Sequence, residues 1–166
     1  MKNKYKWFLL AGIIVFFDQL TKYLIRQKFE LYHSIPVIGD LVRFTYVRNT
    51  GAAFSMSFGS EMINRIIFIL VSIVAIGFIF YYFTKIKDTF QSIIASLVLA
   101  GAVGNLIDRI FLGYVTDFID CDFPDIIMSR FAIFNIADSS ITIAITLLII
   151  YILFFDKKEK KEEEIP

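Results

Sequence analysis

Asp18, Lys22, Asn105, Asp108, Arg109, Asn135 and Asp138 stand inside, or at the ends of, long apolar runs. A charge carried into hydrocarbon costs roughly 2.5–3.5 kcal/mol on insertion scales, so each needs a partner or a task. Carboxylates in such places can relay protons, hold Mg²⁺ or Ca²⁺ through oxygen, or exchange protons with a substrate as acid and base. Spacing sorts them further. Asp18 and Lys22 are four apart and share one helix face, which fits a structural ion pair as well as a direct role. Asn105, Asp108 and Arg109 fall at i, i+3 and i+4 and can present one polar face to a bundle interior, whether for chemistry or for interhelical hydrogen bonding. Asn135 suits a helix cap, and Asp138, three residues on, gains from the helix dipole. Gly101, Ala102, Gly104 and Ala137 lie beside these groups, where small residues serve close packing or the close approach of a substrate backbone.

Other chemistries have little to work with. The single Cys121 excludes a disulfide framework and a Cys-rich metal site, and the single His33, read as a solvated loop residue, is all that His-based zinc or triad chemistry could use. A net charge of +1 points to no nucleic-acid partner.

The elements that must position these residues follow from composition. The chain has 166 residues, 57% of them hydrophobic, more apolar surface than a soluble core of this size needs. Spans need about 20 mostly apolar residues, and four segments qualify: about 7–27, 63–83, 91–110 and 135–155. The first resembles a secretory signal peptide, with Lys2, Lys4 and Lys6 before the run 7–17. No small-residue cleavage site follows, so it reads as a retained helix. Nine of eleven lysines fall at the N-terminus, at Lys85 and Lys87, or in the tail 156–166. The positive-inside rule then makes both termini cytoplasmic, although the six arginines lie towards the opposite ends. At 1.5 Å per residue, Asp18 is ~18 Å along its helix from Lys6, and Asp108 and Asp138 reach the same outer level. Polar residues distant in sequence thus converge near one surface.

Two segments remain on the outer side. In the first, about 35–58, the run 41–47 is β-branched and aromatic and reads as a strand, with Pro36, Gly39 and Gly51 supplying turns. A small sheet is expected there, and the stretch 44–47 could grip a peptide by edge pairing. The second, about 111–133, reads as a short loop with Asp117, Asp120, Asp122 and Asp125; the last three are taken as solvated. The expected fold is a membrane α-helical bundle of four helices, with a small extracytoplasmic β-sheet and a short extracytoplasmic loop. Residues 1–155 would form one domain, and the charged tail 156–166 would be disordered.

Five short motifs then carry a family resemblance: Asp18-Gln19-Leu20-Thr21-Lys22, Asn49-Thr50-Gly51-Ala52-Ala53-Phe54, Gly104-Asn105-Leu106-Ile107-Asp108-Arg109, Val115-Thr116-Asp117-Phe118 and Phe134-Asn135-Ile136-Ala137-Asp138-Ser139. In this order, and over nearly the whole chain except the tail, they resemble the lipoprotein signal peptidases, or signal peptidase II. The resemblance implies an aspartic endopeptidase of the bacterial cytoplasmic membrane. Such an enzyme removes signal peptides from diacylglyceryl-modified prolipoproteins, cutting on the amino side of the lipidated Cys. It implies Asp117 and Asp138 as the catalytic pair, Asn49, Asn105, Arg109 and Asn135 as supporting positions, and Asp18 and Lys22 as a pair beside the site. Gly51, Gly104, Asp108 and Ala137, which lie within or beside the same motifs, are expected to bind substrate or support the site with them. It implies no metal or other cofactor. The expected partners are prolipoproteins and membrane lipids, with the enzyme acting as a monomer at the extracytoplasmic side. The rivals are a small proton- or ion-coupled transporter and a non-enzymatic scaffold. A transporter site tends to lie at the midplane within inverted repeats, and no internal repeat is visible here.

Overall fold

The computed structural model describes residues 6–51, 60–86, 88–122 and 131–154. The tail 156–166, Asp125 and the part of the 35–58 segment beyond Gly51 lie outside them. The four apolar runs form helices α1 (Lys6–Lys28), α2 (Glu61–Lys85), α3 (Thr89–Phe111) and α4 (Ile136–Phe154), each within two residues of its expected ends. All four are long and apolar enough to cross a bilayer. Polar caps set the starts of α2 and α3. The Ser60 hydroxyl accepts from Ile63 N, and the Asp88 carboxylate accepts from Gln91 N at 2.9 Å.

Helix α3 is the hub and packs against the other three helices. Its buried Ala95, Leu99 and Ala100 meet Ala11 of α1 and Ile79 and Phe83 of α2. On another face Ile94 meets Ala144 and Tyr151 of α4. The outward sides of α1, α2 and α4 expose Leu9, Val74, Phe78 and Leu153, as lipid-facing surfaces require. Small residues let α3 and α4 approach. A Cβ on Gly101 would collide with the Ile141 side chain and sit 2.5 Å from the Ala137 carbonyl oxygen. One on Gly104 would lie 2.7 Å from Asp18 Oδ2. These glycines are filled against protein and leave no room for a substrate backbone. Gly101→Ala should therefore lower stability by about 1–3 kcal/mol, read as a lower Tm in detergent; an unchanged Tm would show that the helices part freely there.

A three-stranded antiparallel sheet caps one end of the bundle, in the order β1 (Ser34–Ile38), β2 (Val42–Asn49), β3 (Val115–Cys121). Gly39, at φ +51°, makes the turn between β1 and β2. Tyr46 and Phe118 of the sheet pack on Ile25 near the end of α1. The expected strand is β2, but three expectations need correction. Pro36 lies inside β1 rather than in a turn, which is tolerated because β1 is an edge strand. Residues 115–121 are not loop but the third strand, with Val47 opposite Asp117 and Asn49 opposite Val115. In consequence β2 is central as far as Tyr46: Phe44 pairs with Ile35 on one side and Ile119 on the other, so residues 44–46 offer no edge to a peptide, whereas Val47–Asn49 pair with β3 alone.

Candidate active site

Strand β3 aims Asp117 into the protein, where it is 2% exposed. Its two oxygens accept from different elements: Oδ1 from Asn135 Nδ2 at 2.7 Å, and Oδ2 from Asn49 Nδ2, at the end of β2, at 3.0 Å. Asp138 lies in the first turn of α4 and closes a capping box with Asn135. Asp138 N donates to Asn135 Oδ1 at 2.9 Å, and Asn135 N donates back to Asp138 Oδ2 at 3.2 Å. The remaining oxygen, Oδ1, accepts from Asn105 Nδ2 of α3 at 2.7 Å. Asn135 therefore holds both carboxyl groups, one through its side chain and one through its backbone.

Both acids line a single cavity of about 730 Å³, together with Asn49, Asn105 and Arg109. Its other wall is largely apolar, from Phe131 to Phe134 and from Ile141 to Ile143 of α4. Arg109 contributes a cation to this cavity, donates to the Gly51 carbonyl at 3.2 Å, and lies over the Phe68 ring. Gly51 N in turn donates to Asn49 Oδ1 at 2.9 Å, which orients that amide so that its nitrogen faces Asp117. Burial, and next the nearby Asp138 charge, push the Asp117 carboxyl up from 3.8 to about 7, against the opposing pull of the Asn49 and Asn135 hydrogen bonds and of Lys22.

Below this pair lies a buried ionic layer that does not reach the cavity. Lys22 Nζ is 2.9 Å from Asp18 Oδ2 and 3.7 Å from Asp108 Oδ2, and it donates to Asn105 Oδ1 at 2.9 Å. Asp18 Oδ1 accepts from Ala137 N at 2.9 Å, fixing the start of α4 to α1. Asp108 Oδ2 accepts from Thr116 N at 2.8 Å, fixing β3 to α3. The expected site residues thus divide. Asp117, Asp138, Asn49, Asn105 and Arg109 border the cavity, whereas Asp18, Lys22, Gly51, Gly104, Asp108, Asn135 and Ala137 shape it from behind.

Some contributors escaped sequence reasoning. Gln19 donates to the Gly104 carbonyl at 3.0 Å, and Arg26 donates to Thr116 Oγ1 at 3.0 Å while lying 3.8 Å from Asp108. Their polarity within an apolar segment was the available signal. Asp120, expected to be solvated, is 2% exposed and accepts from Thr45 Oγ1 at 2.7 Å. His33 is exposed, as expected.

Comparison with known proteins agrees with this architecture. A chain from a bacterial membrane enzyme solved by the in meso method at 2.3 Å superposes with a TM-score of 0.82 and 39% identity, covering 97% of this chain and 94% of that one. The lipoprotein signal peptidase of Syntrophus aciditrophicus is 38% identical over 99% of both chains. That of Staphylococcus aureus is 41% identical over 95% of this chain and 93% of its own. The profile of the family described as signal peptidase (SPase) II matches residues 10–154. Four bilayer-length helices and relatives that match from end to end lead to one assignment: this chain is a multi-pass bacterial membrane protein that belongs to the signal peptidase II family.

Proposed function

We propose that the chain is an aspartic endopeptidase that cleaves diacylglyceryl-modified prolipoproteins on the amino side of the lipidated Cys, with Asp117 and Asp138 as its catalytic pair. The observation that carries the reading is the shared Asn135, which holds both carboxyl groups at the wall of one cavity. Two acids so placed cannot ionise independently, and the pair keeps one proton near neutral pH. The ionised partner takes a proton from a water molecule as it attacks the scissile carbonyl. The protonated partner gives its proton to the carbonyl oxygen, and the leaving amine is protonated as the tetrahedral intermediate collapses. Each carboxyl oxygen already accepts one hydrogen bond from the protein, which restricts its rotation and leaves its remaining lone pairs for water and substrate.

The apolar cavity wall along α4 suits an acyl-bearing substrate that arrives from the bilayer, where membrane lipids are the neighbours. The proposed enzyme is a monomer formed by residues 1–155. The lysine distribution supports cytoplasmic termini and an extracytoplasmic site in the bacterial cytoplasmic membrane.

The test is cleavage by the purified protein in detergent. It should process a lipidated prolipoprotein, with a rate that falls as pH rises past about 7 and the shared proton is lost. The same carboxyl affects stability. Asp117 keeps its proton to about pH 7 when folded but ionises at an ordinary 3.8 when unfolded. The folded chain binds more protons across that window, so stability is fully present below it and declines as pH rises through it. Asp117→Asn should flatten that decline. No cleavage, or a rate that keeps rising above pH 8, would reject the proposal.

A further inference from the structure

We infer that Lys22 is a positioning residue for the aspartate pair: its buried ammonium decides which way the Asn105 carboxamide points, and so keeps an N–H donor on Asp138. The inference rests on the catalytic reading of that pair. A carboxamide is nearly symmetric in shape, with an acceptor on one side and donors on the other. Shape alone does not choose between its two orientations in a close-packed interior. An ammonium does choose, because it can only donate. Lys22 Nζ, with no exposed surface, lies 2.9 Å from Asn105 Oδ1, and Asn135 Nδ2 adds a second donor to the same oxygen at 3.2 Å. Turning the amide over would set its NH₂ against both of these donors without water to relieve them. The nitrogen must therefore face Asp138 Oδ1, at 2.7 Å.

The groups that hold Lys22 are Asp18 on its own helix and Asp108 on α3. Arg26 faces Asp108 from α1, and the fields of Asp117 on β3 and Asp138 on α4 reach the same ammonium. Lys22 borders no part of the cavity, so it reaches the pair through Asn105, by contact, and through the field of its charge.

A double-mutant cycle tests this. Lys22→Met and Asn105→Ala, measured on a lipidated prolipoprotein, should each lower kcat by about 10- to 100-fold with KM within about twofold. The combined variant should be no slower than the slower single variant. Removing the Lys22 charge should also move the alkaline limb of the pH–rate profile upward, because that charge holds the Asp117 carboxyl down. Lys22→Met leaves Asp18 and Asp108 without their ammonium and can unfold the protein. The comparison is therefore repeated as Lys22→Met/Asp108→Asn against Asp108→Asn alone, which restores the formal charge. Losses that multiply, a rise in KM at constant kcat, or equal kcat in that second comparison would overturn the role of Lys22. Turnover by Asp138→Asn would instead remove the catalytic reading on which it stands.

Discussion

Asp138→Asn should reduce cleavage of a lipidated prolipoprotein by at least ~10³-fold while the protein remains folded, and Asp117→Asn should do the same. An amide can neither take a proton from water nor release one to a leaving amine at neutral pH, so either change removes half of the proton exchange. The two losses should not multiply, because residues that act as one unit fail together. Folding is preserved for a geometric reason. At position 138 an amide oxygen can still accept from Asn135 N, so the capping box that starts α4 survives, at the cost of setting the new NH₂ against Asn105 Nδ2. Circular dichroism and Tm in detergent give the structural control, and mass spectrometry of the released signal peptide gives the activity. Wild-type turnover in either variant would show that the carboxyl groups do no chemistry.

Asn135→Ala should be the most damaging change to a residue that holds no proton. It removes the donor to Asp117 Oδ1 and the cap on Asp138 N together. Loss of a cap costs about 1 kcal/mol. Losing the donor should slow turnover by ~10²-fold, since Asp117 would be free to rotate away from the orientation that Asn49 and Asn135 now share. Asn135→Ser separates the two effects. Its hydroxyl can cap α4 but is too short to reach Asp117, so Tm should recover towards wild type while the rate stays low. Recovery of both would mean that Asn135 acts through helix stability alone.

The helices were legible because a bilayer leaves little choice of length: about 20 apolar residues must be present in each span. Their ends differed by up to two residues because caps such as Ser60 and Asp88 lie outside the apolar stretch that marks a span. Strand β3 was not legible. With Asp117, Asp120 and Asp122 in or beside it, the segment reads as a solvated loop, and only pairing with β2, some seventy residues earlier, makes it a strand. The same long-range contact buries Asp120 against Thr45, which no local pattern announces. The site was half legible. Polar residues in apolar runs marked Asp18, Lys22, Asn105, Asp108 and Asp138, and the cap position marked Asn135. Nothing local distinguished Asp117 from its neighbouring acids; the family motif alone singled it out. The bridging by Asn135 depends on where β3 meets α4, and periodicity carries no trace of it.

The ionic layer beneath the cavity bears on how the chain enters its membrane. Asp18 and Lys22 close their pair within one helix, so α1 can leave the ribosome and cross into lipid with opposite charges already matched. Helix α2 follows with an almost uniformly apolar sequence and needs no help. Asp108 is different, since among the described residues the two cations within 4 Å of it, Lys22 and Arg26, belong to α1, and Arg109 of α3 reaches it only by its field. During synthesis from the N-terminus, the anion of α3 therefore reaches the bilayer after its counter-charges are in place, and vectorial synthesis supplies the order in which this interior can be assembled.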